Sequence, residues 1–266
     1  MIGNILIIHR AWQLPGEKAS FVPQQHGAEF RAWLQQPRGK HFLELECHAI
    51  NTMITTLFGY VAIIIGEPNF DFCLQGSVIK HRFLLNEDMG LLDAGQSSIV
   101  HTRQDKLPLE SASVDLVYLA HSLEFASNPH EVLREAYRVL RPDGHLIITM
   151  FNPLSAWGAW RMLAKISKNM PWVADFMSAP KLKDWLALLG FDIMRINYFG
   201  FSMPFSSCAA AGKLSLCERL GQKLELPFGA AYLIEASKRV IPLTPITQAW
   251  KAKPDIIVDD VVEPTT

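Results

Sequence analysis

No two cysteines in this sequence are spaced as C-x-x-C. The four present, Cys47, Cys73, Cys208 and Cys217, are scattered through 266 residues. That spacing offers no zinc site and argues against a disulfide framework, so the chain suits a reducing cytoplasm. An excess of charge of one sign is lacking too: 25 Lys and Arg against 26 Asp and Glu leave a formal net charge of -1. Nothing here indicates a nucleic-acid partner. Long hydrophobic runs are missing as well. The apolar stretch within residues 1–10 is short, has no basic leader and is followed by polar sequence, so it fits neither a signal peptide nor a membrane span. No G-x-G-x-x-G follows a strand-like segment, which argues against a nicotinamide-dependent enzyme. No internal repeat is visible.

What the chain has is 49% hydrophobic side chains, enough for one sizeable core. Its most informative stretch is residues 107–150. A polar turn at residues 110–113 precedes an apolar run from Val114 to Ala120, broken by Asp115. Asn128-Pro129-His130-Glu131 then reads as a helix start, with Asn as N-cap, Pro at the first position and Glu in capping-box spacing. Leu133, Ala136, Tyr137 and Leu140 form an apolar stripe, which leaves Arg134, Glu135 and Arg138 facing water. Pro142-Asp143-Gly144 ends the helix and residues 145–151 are a second buried strand. Strand, crossover helix and strand make a parallel βαβ unit.

These residues carry a resemblance. Ser113-Val114-Asp115-Leu116-Val117 and Arg138-Val139-Leu140-Arg141-Pro142-Asp143-Gly144 resemble the class I S-adenosylmethionine-dependent methyltransferases, specifically the type 11 group, over residues 97–152. The resemblance implies an α/β, three-layer Rossmann-like fold with a seven-stranded, mostly parallel sheet in the order 3-2-1-4-5-7-6. It also implies methyl transfer from S-adenosylmethionine to a small-molecule acceptor. A catalytically silent member of the fold, used as an interaction or regulatory module, is the alternative. On this reading residues 1–40 are an irregular leader with a short helix at 28–34, residues 41–240 are the methyltransferase domain, and residues 241–266 are a mobile tail.

The pass along the chain supplies the other elements. Residues 37–39 (Pro37, Arg38, Gly39) read as a turn, and Phe42, Leu45, Ala49, Met53 and Leu57 as the apolar stripe of a helix. Glu44 and Glu46 fall in its first turns and suit the helix dipole. Residues 60–66 are the first strand, apolar on both faces as a central parallel strand is. Residues 78–85 and 98–102 are the second and third, with a helical turn at 91–95 between them. Later come a helix at 155–167, on which Trp157, Trp160 and Leu163 share a face, a helix at 181–189 and strands at 191–198 and 230–238.

The site residues follow from the resemblance. After the first strand the family has a glycine-rich loop; here Gly66-Glu67-Pro68-Asn69 keeps one glycine, and Gly66 and Glu67 are the donor-contact candidates. Glu87 or Asp88, after the second strand, stands where a carboxylate accepts from the ribose hydroxyls. The family's adenine acceptor is Arg103 here, which has only donors, so Gln104 or Asp105 is the expected substitute. His121, at the end of the fourth strand, is a candidate general base or a hydrogen-bonded edge histidine. S-adenosylmethionine is the one implied cofactor, and no metal is implied.

Overall fold

In the computed structural model, residues 24–87, 99–164, 170–201, 216–224 and 226–239 are described. Asp88, the helical turn expected at 91–95, the leader before residue 24 and the tail from 241 onward lie outside them.

Seven strands form one sheet: β1 (Val61–Ile65), β2 (His81–Asn86), β3 (Ile99–His101), β4 (Val114–Ala120), β5 (Leu140–Phe151), β6 (Phe191–Phe199) and β7 (Ala231–Lys238). Their spatial order is β3-β2-β1-β4-β5-β7-β6, with β1 to β5 parallel and β7 antiparallel to both β5 and β6. This is the expected topology. The central strands are buried on both faces because helices cover both. On one face lie α1 (Gln24–Leu34), α2 (Pro37–Ile54) and a short 3-10 helix (Pro68–Leu74). On the other lie α3 (Pro129–Val139) and α5 (Ala179–Leu189). Two further helices, α4 (Ala156–Ala164) and α6 (Leu216–Lys223), precede α5 and β7 respectively.

Four local expectations are corrected. Residues 37–39 are the first turn of α2, not a free turn, because Pro37 occupies the first helical position, where its missing N–H costs nothing. Asn128 stands at the N-cap of α3, but its side chain makes no capping bond, and Glu131 pairs with Arg134 instead. Nor do Glu135 and Arg138 face water. Glu135 accepts from the Leu107 amide (2.9 Å), and Arg138 donates to the carbonyls of Leu107 (3.0 Å) and Leu109 (2.8 Å). This ties the loop before β4 to the helix after it. On α4, Trp157 is buried and packs on Trp172, ring centroids 5.6 Å apart, whereas Trp160 points outward, 37% exposed.

The cysteines hold the largest surprise. Cys47 of α2 and Cys73 of the 3-10 helix form a disulfide, Cα atoms 4.3 Å apart. The cysteine spacing argued against a disulfide framework; this one bridge corrects that reading, and the cysteines no longer argue for a reducing compartment. Both cysteines are buried, and α1 belongs to the same core through Phe30, Trp33 and Leu34. No described helix is long and apolar enough to cross a membrane.

Candidate cofactor pocket

Three strand ends meet at the carboxyl edge of the sheet, at the switch point between β1 and β4 where ligands bind in open α/β sheets. The loops leaving β1, β2 and β4 bring Gly66, Glu67, Asn86, Glu87, His121 and Ser122 to one pocket, joined by Gln104 from the loop after β3. Gly27, Ala28 and Phe30 of α1 close over it.

Gly66 does more than terminate a strand. Its φ is +150°, and a Cβ there would lie 2.6 Å from the Ala120 carbonyl oxygen. Only glycine lets β1 turn this close to the end of β4. The Asn86 side-chain amide donates to the Gly66 carbonyl (2.7 Å), coupling the β1 and β2 ends. Directly after Gly66 the glycine-rich turn is replaced by the 3-10 helix, with Glu67 at its N-cap position and Pro68 starting it. Phe70, fully buried, anchors that helix in the core. Glu67 is itself buried and accepts from Arg31 Nε of α1 at 2.6 Å.

Glu87 lines the pocket at the end of β2 and accepts from the Gln104 backbone amide (3.0 Å). Gln104 also lines it, and its Oε1 is buried without a hydrogen-bond partner. Asp105 is not in the pocket; both its carboxylate oxygens are taken by Arg103 (2.9 and 2.6 Å). Ser122 supplies a second orphaned polar atom, its buried Oγ. Buried polar atoms with no protein partner are uncommon in native folds. Gln104 Oε1 and Ser122 Oγ, at one pocket, match a ligand with its own donors, as adenosine has. The carboxylate and amide of Glu87 and Gln104 therefore fit the adenosine half of S-adenosylmethionine; Glu87 has the chemistry for ribose hydroxyls and Gln104 for the adenine amine.

His121 is held differently from the free edge base that its position suggested. It is 1% exposed, with φ +50°. Its Nδ1 lies 2.7 Å from Glu124 Oε2, and its Nε2 lies 3.4 Å from Glu46 Oε2, an ionic contact rather than a hydrogen bond. Burial pulls its pKa down, but Glu124 and then Glu46 outweigh that and push it up to about 10. As an imidazolium His121 has no lone pair with which to take a proton, so this geometry does not support the general-base role. Four phenylalanine rings surround it: Phe151 (4.4 Å between centroids), Phe30 (5.5 Å), Phe42 (5.6 Å) and Phe70 (5.8 Å). Glu124 also accepts from the Phe151 amide, and Glu46 from the Tyr118 hydroxyl (2.7 Å).

Sequence reasoning missed Glu46 and Glu124 as partners of His121. Glu46 did carry a signal: it lies four residues after Phe42, on the stripe that Ala49 and Met53 continue, so it points into the core. Among the described residues no cluster of His, Cys, Asp or Glu could hold a metal ion. The Glu46 and Glu124 carboxylates stand at opposite nitrogens of the His121 ring, so the three cannot converge on one ion.

With this geometry established, similarity to known proteins places the chain. A family model described as a methyltransferase domain matches residues 85–148. The uncharacterized protein YafS of Escherichia coli K12 is 31% identical over 242 residues, covering 90% of this chain and 93% of YafS. A demethylmenaquinone methyltransferase of Chlamydia pneumoniae is 40% identical over 62 residues, a segment spanning 27% of that enzyme. Among solved structures, a SAM-dependent methyltransferase of Thermotoga maritima superposes with a TM-score of 0.62 at 20% identity, covering 80% of this chain and 95% of that one. The chain belongs to the class I S-adenosylmethionine-dependent methyltransferases of the type 11 group, and it shares a family with YafS.

Proposed function

We propose that this protein binds S-adenosylmethionine at the pocket between β1, β2 and β4 and transfers its methyl group to a small-molecule acceptor. The observation that carries the reading is that Glu87, which accepts from the Gln104 backbone amide, and the orphaned Gln104 side-chain oxygen line the same pocket. When bound, the donor supplies an electrophilic methyl on a sulfonium, already a good leaving group. The protein's task is then to hold donor and acceptor in line. Glu87 and Gln104 would orient the adenosine, Gly66 would leave room at the β1–β4 junction, and α1 would exclude water above them. Ser122, at the β4 end, would offer its orphaned hydroxyl to the bound donor. The small acceptor is inferred from the demethylmenaquinone methyltransferase that the segment resembles. The proposed setting is the cytoplasm, where thiol reductants reach proteins, so binding is to be measured with and without reductant.

One observation favours the silent-module reading: the first loop is a packed 3-10 helix tied by the Cys47–Cys73 disulfide. Calorimetric titration with S-adenosylmethionine and with its demethylated product separates the two. The methyltransferase reading expects saturable binding of both, and weaker binding by roughly 1–3 kcal/mol in Glu87→Ala. Flat titrations for the native protein in both redox states would leave the silent module as the better account.

A further inference from the structure

His121 lines the pocket, and its ring is held by two carboxylates, Glu46 and Glu124, that do not line it and that the adenosine contacts do not use. None of the three side chains has exposed surface. Among the described residues no Lys or Arg pairs with either carboxylate; their remaining partners, the Phe151 amide and the Tyr118 hydroxyl, are neutral. Glu124 accepts from both the imidazolium and an amide N–H, which favours its ionised form. Glu46 Oε2 is buried without any hydrogen bond. One imidazolium therefore faces two carboxylates, and the core beside the pocket holds one negative charge in excess. A buried charge without a partner is strongly unfavourable, and a single carboxylate would suffice to hold the ring.

We propose that Glu46 and Glu124 make the pocket selective for a cation, so that the sulfonium donor is held in preference to its neutral demethylated product. The inference rests on the methyltransferase reading of the pocket. It makes the two carboxylates specificity-determining residues that act through the field of the triad, without touching the ligand. Across roughly ten ångströms, at an effective dielectric constant of about 20, one excess charge still changes a cation's affinity by on the order of tenfold. The selectivity has a direction. Methyl transfer breaks the methyl–sulfur bond and leaves its electron pair on sulfur, while the methyl bonds to the acceptor's nucleophile. The donor's positive charge is thereby lost, and with it the attraction to the triad. The pocket favours the methylated ligand on entry and releases the demethylated one.

The test uses three ligands that share the adenosine and the amino-acid arm. S-adenosylmethionine carries a sulfonium, sinefungin an ammonium in its place, and S-adenosylhomocysteine a neutral thioether. Calorimetric titrations of the full chain are made below the ordinary imidazole value of 6.5, so that the ring stays charged in every variant. The native protein should bind both cations about tenfold more tightly than S-adenosylhomocysteine. That preference should persist when salt rises from about 0.1 to about 0.5 M, because screening scarcely reaches buried charges. Glu46→Gln and Glu124→Gln each remove one charge with little change of shape. Each should weaken both cations by about tenfold and S-adenosylhomocysteine by less than about twofold. Equal losses for all three ligands would overturn the proposal and leave the triad as a fastener of the core. Melting temperatures identify any variant that has failed to fold, and the native comparison then decides: equal affinities, or a preference that salt abolishes, overturn the proposal. If the native protein binds none of the three, the methyltransferase reading fails as well. If it binds all three alike, only the selectivity fails.

Discussion

Adenine recognition can be argued one residue at a time. Gln104 and Asp105 are neighbours in sequence, and either could replace the acceptor lost at Arg103. Their surroundings separate them. Asp105 is consumed by a two-bond pair with Arg103 at an exposed position, whereas Gln104 leaves a buried amide oxygen without a partner in the pocket. Gln104→Ala should therefore weaken the donor by roughly 0.5–1.5 kcal/mol, the net value of one hydrogen bond, and should affect a donor analogue lacking the exocyclic amine much less. Asp105→Ala should change neither affinity. A larger loss from Asp105→Ala would return the role to the carboxylate and require Arg103 to swing away on binding. The sequence could propose both residues because both carry acceptors; it could not tell which acceptor another side chain had already taken.

Among the elements, those specified by local pattern were the legible ones. β4 falls where its continuous apolar run places it; α3 starts at its Pro-led turn but ends at Val139, so that Leu140 and the Pro142-Asp143-Gly144 stretch belong to β5 and not to the helix; β7 follows from its own apolar run. The 3-10 helix was not legible. Its residues have neither a period of two nor of 3.6; Phe70, Cys73 and Leu74 turn inward because they meet α2 across the fold. The disulfide is likewise a property of distance in space: 26 residues separate Cys47 from Cys73, and no spacing rule connects them. Closing a loop of that length removes chain entropy worth about 3–4 kcal/mol from the unfolded state. Reduction, or Cys47→Ser with Cys73→Ser, should lower the unfolding free energy by roughly that amount in a urea titration. The sheet should keep its circular dichroism, since no strand depends on the bridge. Unchanged stability on reduction would show that the two thiols pack equally well unlinked.

Taken as a whole, the molecule is a sheet between two apolar cores, and one of those cores contains charge. The core under α1 and α2 encloses Glu46, His121 and Glu124, each 4% exposed or less, so the protonation of this triad is coupled to global stability. The folded pKa of His121, about 10, stands above the value of 6.5 for an unperturbed imidazole. The folded state therefore keeps a proton that the unfolded chain gives up, and the contribution of His121 is complete below pH 6.5 and lost as pH rises towards 10. The slope in that window is at most about 1.4 kcal/mol per pH unit. Glu124, raised first by burial and partly restored by His121, acts in the same direction from its ordinary value of 4.5 upward. Lys238, whose pKa burial lowers, acts in the opposite direction as pH nears its ordinary 10.5. Unfolding free energies measured at pH 6.5, 8 and 9 should fall steadily, and His121→Gln should flatten the decline while starting from a lower value. If that variant does not fold, the imidazole carbon-bound proton of His121, followed by NMR in the native protein, gives the same answer. It should hold its imidazolium shift beyond pH 8.5; a midpoint near 6.5 would mean that the two carboxylates share a neutral ring, and the predicted decline would be absent.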